Sequence, residues 1–107
     1  MTKTITIDGR EVKLAANAAT PFRFRQMFKR DLLQILGNEE KAEAEGIETV
    51  SELAFIMAKQ AEGADLSKLT ESDFIGWLEE FGPMAFIESA QDILEAYMDQ
   101  EQTTSFR

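Results

Sequence analysis

The dipeptide Asp8-Gly9 constrains this chain more than any other short feature. A two-residue type I′ turn needs positive φ at both central positions, which Asp tolerates and Gly adopts freely. Thr4-Ile5-Thr6-Ile7 before it and Arg10-Glu11-Val12-Lys13-Leu14 after it alternate polar and apolar residues. The pattern predicts a β-hairpin with Ile5, Ile7, Val12 and Leu14 on one face. An isolated two-stranded hairpin is marginal in water, so that face must dock on helices or on another chain.

The remainder reads as helical. Ala15–Ala19 either extends the second strand or leads into a helix. Thr20 as N-cap and Pro21 in the first turn predict a helix running to Leu36, with Phe24, Met27, Phe28, Leu32 and Ile35 inward and Gly37-Asn38 as its stop. Glu39–Gly46 is either a linker or one solvated turn. Val50, Leu53, Ala54, Met57 and Ala61 predict a second helix over Thr49–Ala61, and Phe55 and Ile56 widen its stripe until it looks nearly central. Thr70-Glu71-Ser72-Asp73 resembles a capping box and opens a short helix carrying Phe74, Trp77, Leu78 and Phe81. Gly82-Pro83 is a break, with Gly82 suited to a left-handed cap and Pro83 to the start of the next helix. The last helix carries Met84, Ile87, Ala90, Leu94 and Tyr97 or Met98, with Phe86 and Ile93 adjacent. The fold class expected is α+β, mostly α: an N-terminal β-hairpin followed by about four helices. Residues 1–99 form one domain and the polar stretch 100–107 is a fraying tail. The expected core is Phe24, Phe28, Leu32, Leu53, Met57, Phe74, Trp77, Leu78, Ile87 and Leu94.

Composition narrows the chemistry. The 107 residues include no His and no Cys, which removes disulfides, thiolate metal sites, cysteine nucleophiles and the commonest general base. No glycine-rich phosphate loop or EF-hand loop occurs. The paired carboxylates Glu39-Glu40, Glu79-Glu80 and Asp92 with Glu95 read as solvated faces. No apolar run is long enough to span a bilayer, and Met1–Asp8 lacks a signal-peptide core. The expectation is a cytoplasmic protein that is not an enzyme, without cofactor or metal and without a membrane partner.

The net charge of -9 is uneven. Residues 1–38 hold seven cations against three acids, a net +4, and residues 39–107 hold four cations against seventeen acids, a net -13. The split reads either as two solvated helix faces that differ in sign or as complementary surfaces, within the fold or between copies, and self-association is expected. The acidic bulk disfavours nucleic acid. Phe22, Phe24 and Phe28 interleave with Arg23, Arg25 and Arg30. Stacking on single strands is one reading, and a core stripe beside a basic stripe is the favoured one, because Phe24 and Phe28 keep the core period. Phe22 breaks that period, and an exposed Phe beside Arg is typical of an interaction anchor. Phe22, Arg23, Arg25, Lys29 and Arg30 are therefore the candidate partner-binding residues. The competing reading is that these cations pair only with the chain's own acidic helices.

The run Ile5-Thr6-Ile7-Asp8-Gly9-Arg10-Glu11-Val12-Lys13-Leu14, followed shortly by a helix, resembles the N-terminal half of tail assembly chaperones of long-tailed (siphovirus-type) phages and prophages. The resemblance covers about residues 1–36. The chain departs from it at Thr20–Arg25, where a strand-like bridge is frequent in that family. The resemblance implies a non-catalytic role in the bacterial host cytoplasm: binding the tape measure protein and keeping it soluble during tail assembly. The alternative is a small prophage-encoded regulatory adaptor that binds one folded partner.

Overall fold

Asp8 and Gly9 both take positive φ, 54° and 77°, and close the turn between β1 (Thr2–Ile7) and β2 (Arg10–Ala15). In this computed structural model, which describes residues 2–102, the strands pair antiparallel with Ile7 opposite Arg10, Ile5 opposite Val12 and Lys3 opposite Leu14. Directly opposed residues share a face. The docked face is thus Lys3, Ile5, Ile7, Arg10, Val12 and Leu14, with Ile7 and Leu14 fully buried. Two cations stand at its ends; Lys3 reaches the C-terminal helix, and Arg10 reaches the corner that precedes it. Lys3 Nζ lies 3.3 Å from Asp99, and Arg10 Nη2 lies 3.1 Å from Glu80 with its guanidinium over the Phe81 ring.

The helices are α1 (Thr20–Phe28), α2 (Leu32–Leu36), α3 (Glu39–Glu62), α4 (Glu71–Leu78) and α5 (Ala85–Gln102), with a 3₁₀ turn at Leu66–Lys68. The fold class is α+β, mostly α, as the sequence predicts, but with five α-helices among the described residues. The helix expected from Pro21 to Leu36 is two. Lys29 adopts left-handed φ 61° and ends α1, and Asp31 turns extended and caps α2 by accepting from Gln34 N–H at 3.1 Å. The apolar period survives the break, because Leu32 and Ile35 are still buried.

The acidic stretch after Gly37 is neither linker nor single turn. α3 begins at Glu39, capped by Asn38, which accepts from Lys41 N–H at 3.1 Å. Glu and Ala propagate a helix well, and Glu39 and Glu40 complement its N-terminal dipole. Residues 49–58 are buried on every side, so α3 is the central element, with β2 and α5 packed against it and β1 against α5. An aromatic chain, Phe24–Phe28–Phe74–Phe55–Trp77–Phe86, ties α1, α3, α4 and α5 together with ring centroids 5.0–5.6 Å apart.

Three further expectations are corrected. Thr20 does not cap α1. It lies inside the first turn, buried, where its hydroxyl accepts from Asn17 N–H and donates to Gln60 Oε1, each at 2.9 Å. Gly82 has no positive φ; its N–H donates to Asp8, and α5 starts at Ala85 rather than Pro83. Ile87 is not core but 48% exposed, while Phe86 and Ile93 are buried. α5 is rotated relative to the reading that put Ile87 inward. The Thr70–Asp73 capping box forms as read. α5 continues to Gln102, and residues 103–107 of the expected tail lie outside the described residues. No helix among the described residues is long and apolar enough to cross a membrane.

Candidate partner-binding site

α1 is positioned before it begins. Asn17 Oδ1 accepts from Ala19 N–H at 2.8 Å, and Thr20 anchors the first turn to α3 through Gln60. Pro21 costs nothing there, since the first-turn N–H groups have no helical partner. Thr20, Phe24, Met27 and Phe28 recur at helical spacing and face the core. The opposite face is then set by geometry: Phe22, Arg25, Gln26 and Lys29, at i, i+3, i+4 and i+7, are all exposed. Phe22 is 70% exposed.

The five residues singled out in the sequence divide. Phe22 and Arg25 share the outer face of α1, and Lys29 is exposed at its left-handed C-cap. Arg25 Nη1 lies 3.8 Å from Asp31, an exposed pair worth little in water. Arg23 is half-buried beside it and donates to Gln26 Oε1 at 3.2 Å. Arg30 turns the other way. Its Nη2 donates to Glu45 Oε1 at 2.7 Å and to Thr49 Oγ1 at 2.6 Å, and its Nη1 donates to Glu52. The competing reading of the basic stripe, pairing with the chain's own acids, thus describes Arg30.

Glu45, Glu48, Thr49 and Glu52 lie along one side of α3, which is what lets a single guanidinium gather them. Glu52 is 5% exposed. Burial pushes its carboxyl up to about 7; Arg30 pulls it down, and Glu48 and Glu45 add to the rise. Burial lowers the Arg30 guanidinium, but the hydrogen bond to Glu45 and the three carboxylates outweigh it and raise it. This buried polar cluster is a structural clamp between the α1–α2 break and α3. Among the described residues no group of three or more Asp or Glu side chains is placed to hold a metal ion.

Beside the clamp an open groove carries Arg25, Lys29, Asp31, Gln34 and Lys41 on its walls. The outer face of α1 therefore continues into a mixed but cation-rich surface. Such a surface can give charge-assisted hydrogen bonds to carboxylates while the Phe22 ring covers apolar area. No protein-family description, curated protein or solved structure matches the chain.

A second exposed apolar surface escaped the sequence reading. Met98, 54% exposed, joins Ile87 on the outer side of α5, and Met84, 52% exposed, stands just before its first turn. The sequence spacing shows this stripe but predicts that it faces the core.

Proposed function

We propose that this chain is a non-catalytic binding protein, a phage or prophage tail assembly chaperone of the host cytoplasm that holds a tape measure protein soluble through the outer face of α1. The observation that carries the reading is Phe22, a large apolar ring turned to solvent on the same helix as Arg25, opposite the face that buries Thr20 and Phe24. Exposed aromatic and Arg side chains are the residue types that anchor partners. The hairpin-then-helix order that resembles such chaperones supports the same reading. The sheet has two strands only among the described residues, so both outer edges are open, which supports self-association as well.

Co-expression with a tape measure protein tests this. Phe22→Ala with Arg25→Glu leaves the thermal midpoint within a few degrees, because both side chains are exposed. The same variant loses capture of the tape measure protein. Full capture by the variant, or its unfolding, overturns the assignment of the surface. Capture of a compact folded protein instead of a long helical one replaces the chaperone with an adaptor. Light scattering at low and high salt tests self-association, which weakens as salt screens exposed charges.

A further inference from the structure

The outer side of α5 carries Ile87, Gln91, Leu94 and Met98, and Met84 precedes its first turn, all spaced three and four residues apart. This is the a/d pattern of a heptad seam over two heptads, about 21 Å long at 1.5 Å per residue. Met84, Ile87 and Met98 are the exposed apolar residues of the seam, Gln91 is its polar middle, and Leu94 is half-buried against the chain's own core. The seam lies opposite the side that α5 packs inward, where Phe86, Ser89, Ile93 and Ala96 are buried. One edge of the seam is acidic. Glu88 and Glu95 follow Ile87 and Leu94 directly, and Asp92 and Asp99 stand one row further out. Of these four, Asp99 pairs with Lys3, and Glu95 accepts from Gln91 Nε2 at 3.1 Å.

The geometry points to this seam as a docking surface for an amphipathic helix of another protein, one that carries apolar residues at heptad spacing and Lys or Arg along the edge facing Glu88 and Glu95. The charge pattern selects this occupant over a second copy. An antiparallel copy of α5 would bring Glu88 and Glu95 against their own counterparts, and like charges there are repulsive. A parallel copy would set them beside Ala90 and Tyr97, which offer no cation. α1 of a second copy is basic but spans nine residues with one exposed apolar side chain, too short to fill the seam. Two of the seam's large residues are Met, whose flexible side chains adapt to varied partner surfaces. The inference does not depend on the phage reading, since it names a chemistry and not a client.

Two synthetic amphipathic peptides of about three heptads test it, both with Leu at a and d, one with Lys and one with Glu at the flanking positions. Binding to the full chain is read by fluorescence anisotropy. The Lys peptide binds at least about tenfold more tightly than the Glu peptide, and the difference shrinks with salt. Ile87→Gln with Met98→Gln abolishes binding while the thermal midpoint stays unchanged. Glu88→Lys with Glu95→Lys reverses the preference. Equal binding of both peptides, or full binding by the Gln variant, overturns the proposal. So does an absence of peptide binding, including the case where sedimentation shows a dimer of the chain that depends on Ile87.

Discussion

The Asp8 carboxylate accepts a hydrogen bond from the Gly82 backbone N–H at 2.9 Å, joining the hairpin turn to the corner between α4 and α5. Arg10 braces the same corner through Glu80 and the Phe81 ring. Asp8 thus does two jobs, holding a left-handed turn position at φ 54° and filling the acceptor role for Gly82. Asp8→Ala loses both and should cost about 1–3 kcal/mol. Asp8→Asn keeps a side-chain acceptor and tolerates the left-handed region, so its cost should stay near 0.5 kcal/mol or below. Urea denaturation of the two variants decides this; equal losses would assign the contribution to charge rather than geometry.

The rotation of α5 gives a sharper contrast. Phe86 is buried against Trp77 and Phe81, with ring centroids at 5.6 and 5.3 Å, whereas its neighbour Ile87 is half in solvent. Phe86→Ala should cost about 3–5 kcal/mol, a large part of the stability of so small a domain. Ile87→Ala should cost under about 1 kcal/mol. Denaturation midpoints that rank the two variants the other way would place the opposite side of α5 in the core.

What the sequence disclosed was local. The hairpin was legible because Asp8-Gly9 and the alternation around it specify turn and register without help from the rest of the chain. The capping box at Thr70–Asp73 is equally self-contained. The break at Lys29 was not legible. It depends on Arg30 reaching carboxylates 15 to 22 residues further on, and no local pattern encodes that. The facing of α5 failed for another reason. On a helical wheel the acidic row Glu88, Asp92, Glu95 and Asp99 lies roughly 100° from both apolar stripes, so charge does not choose between them. The aromatic ring of Phe86 and the small Ala85 and Ala96 decide it by packing. At the candidate site, Phe22 was legible because it breaks the core period. Adjacency in the chain groups Arg30 with Arg25 and Lys29, although on a straight helix it would stand about 140° from Arg25 and about 100° from Lys29.

Among the described residues Arg30 is the one cation paired with Glu45 and Glu52, and Arg30→Ala removes it. Near pH 9, where Glu52 is ionised beside Arg30, breaking the pair from one side strands a buried carboxylate and should cost about 3–5 kcal/mol. The loss should be smaller near pH 5, where the Glu52 carboxyl, already pushed up to about 7 by burial, holds its proton. Denaturation of wild type and variant at the two pH values measures both effects. A loss independent of pH would mean that Arg30 acts through packing against Phe24 alone.

Glu52 itself gives the chain a pH dependence of unusual sign for a carboxylate. Burial raises it from 4.5 to about 7, so the folded state binds its proton more tightly than the unfolded chain does. Below about pH 4.5 the group is protonated in both states and its contribution to stability is complete. Between about 4.5 and 7 the unfolded chain ionises first, and stability falls as pH rises. Above the folded value the loss is complete, at about 3 kcal/mol for a shift of this size. Most acidic groups in proteins are shifted the other way and stabilise as pH rises. Glu52→Gln keeps the shape and an acceptor for Arg30 Nη1 but does not titrate. Wild type should therefore lose about 2–3 kcal/mol more than Glu52→Gln between pH 5 and pH 8. The comparison cancels the remaining carboxylates, which both proteins share. Parallel pH profiles for the two would show that Glu52 is ionised throughout, held charged by Arg30 despite its burial.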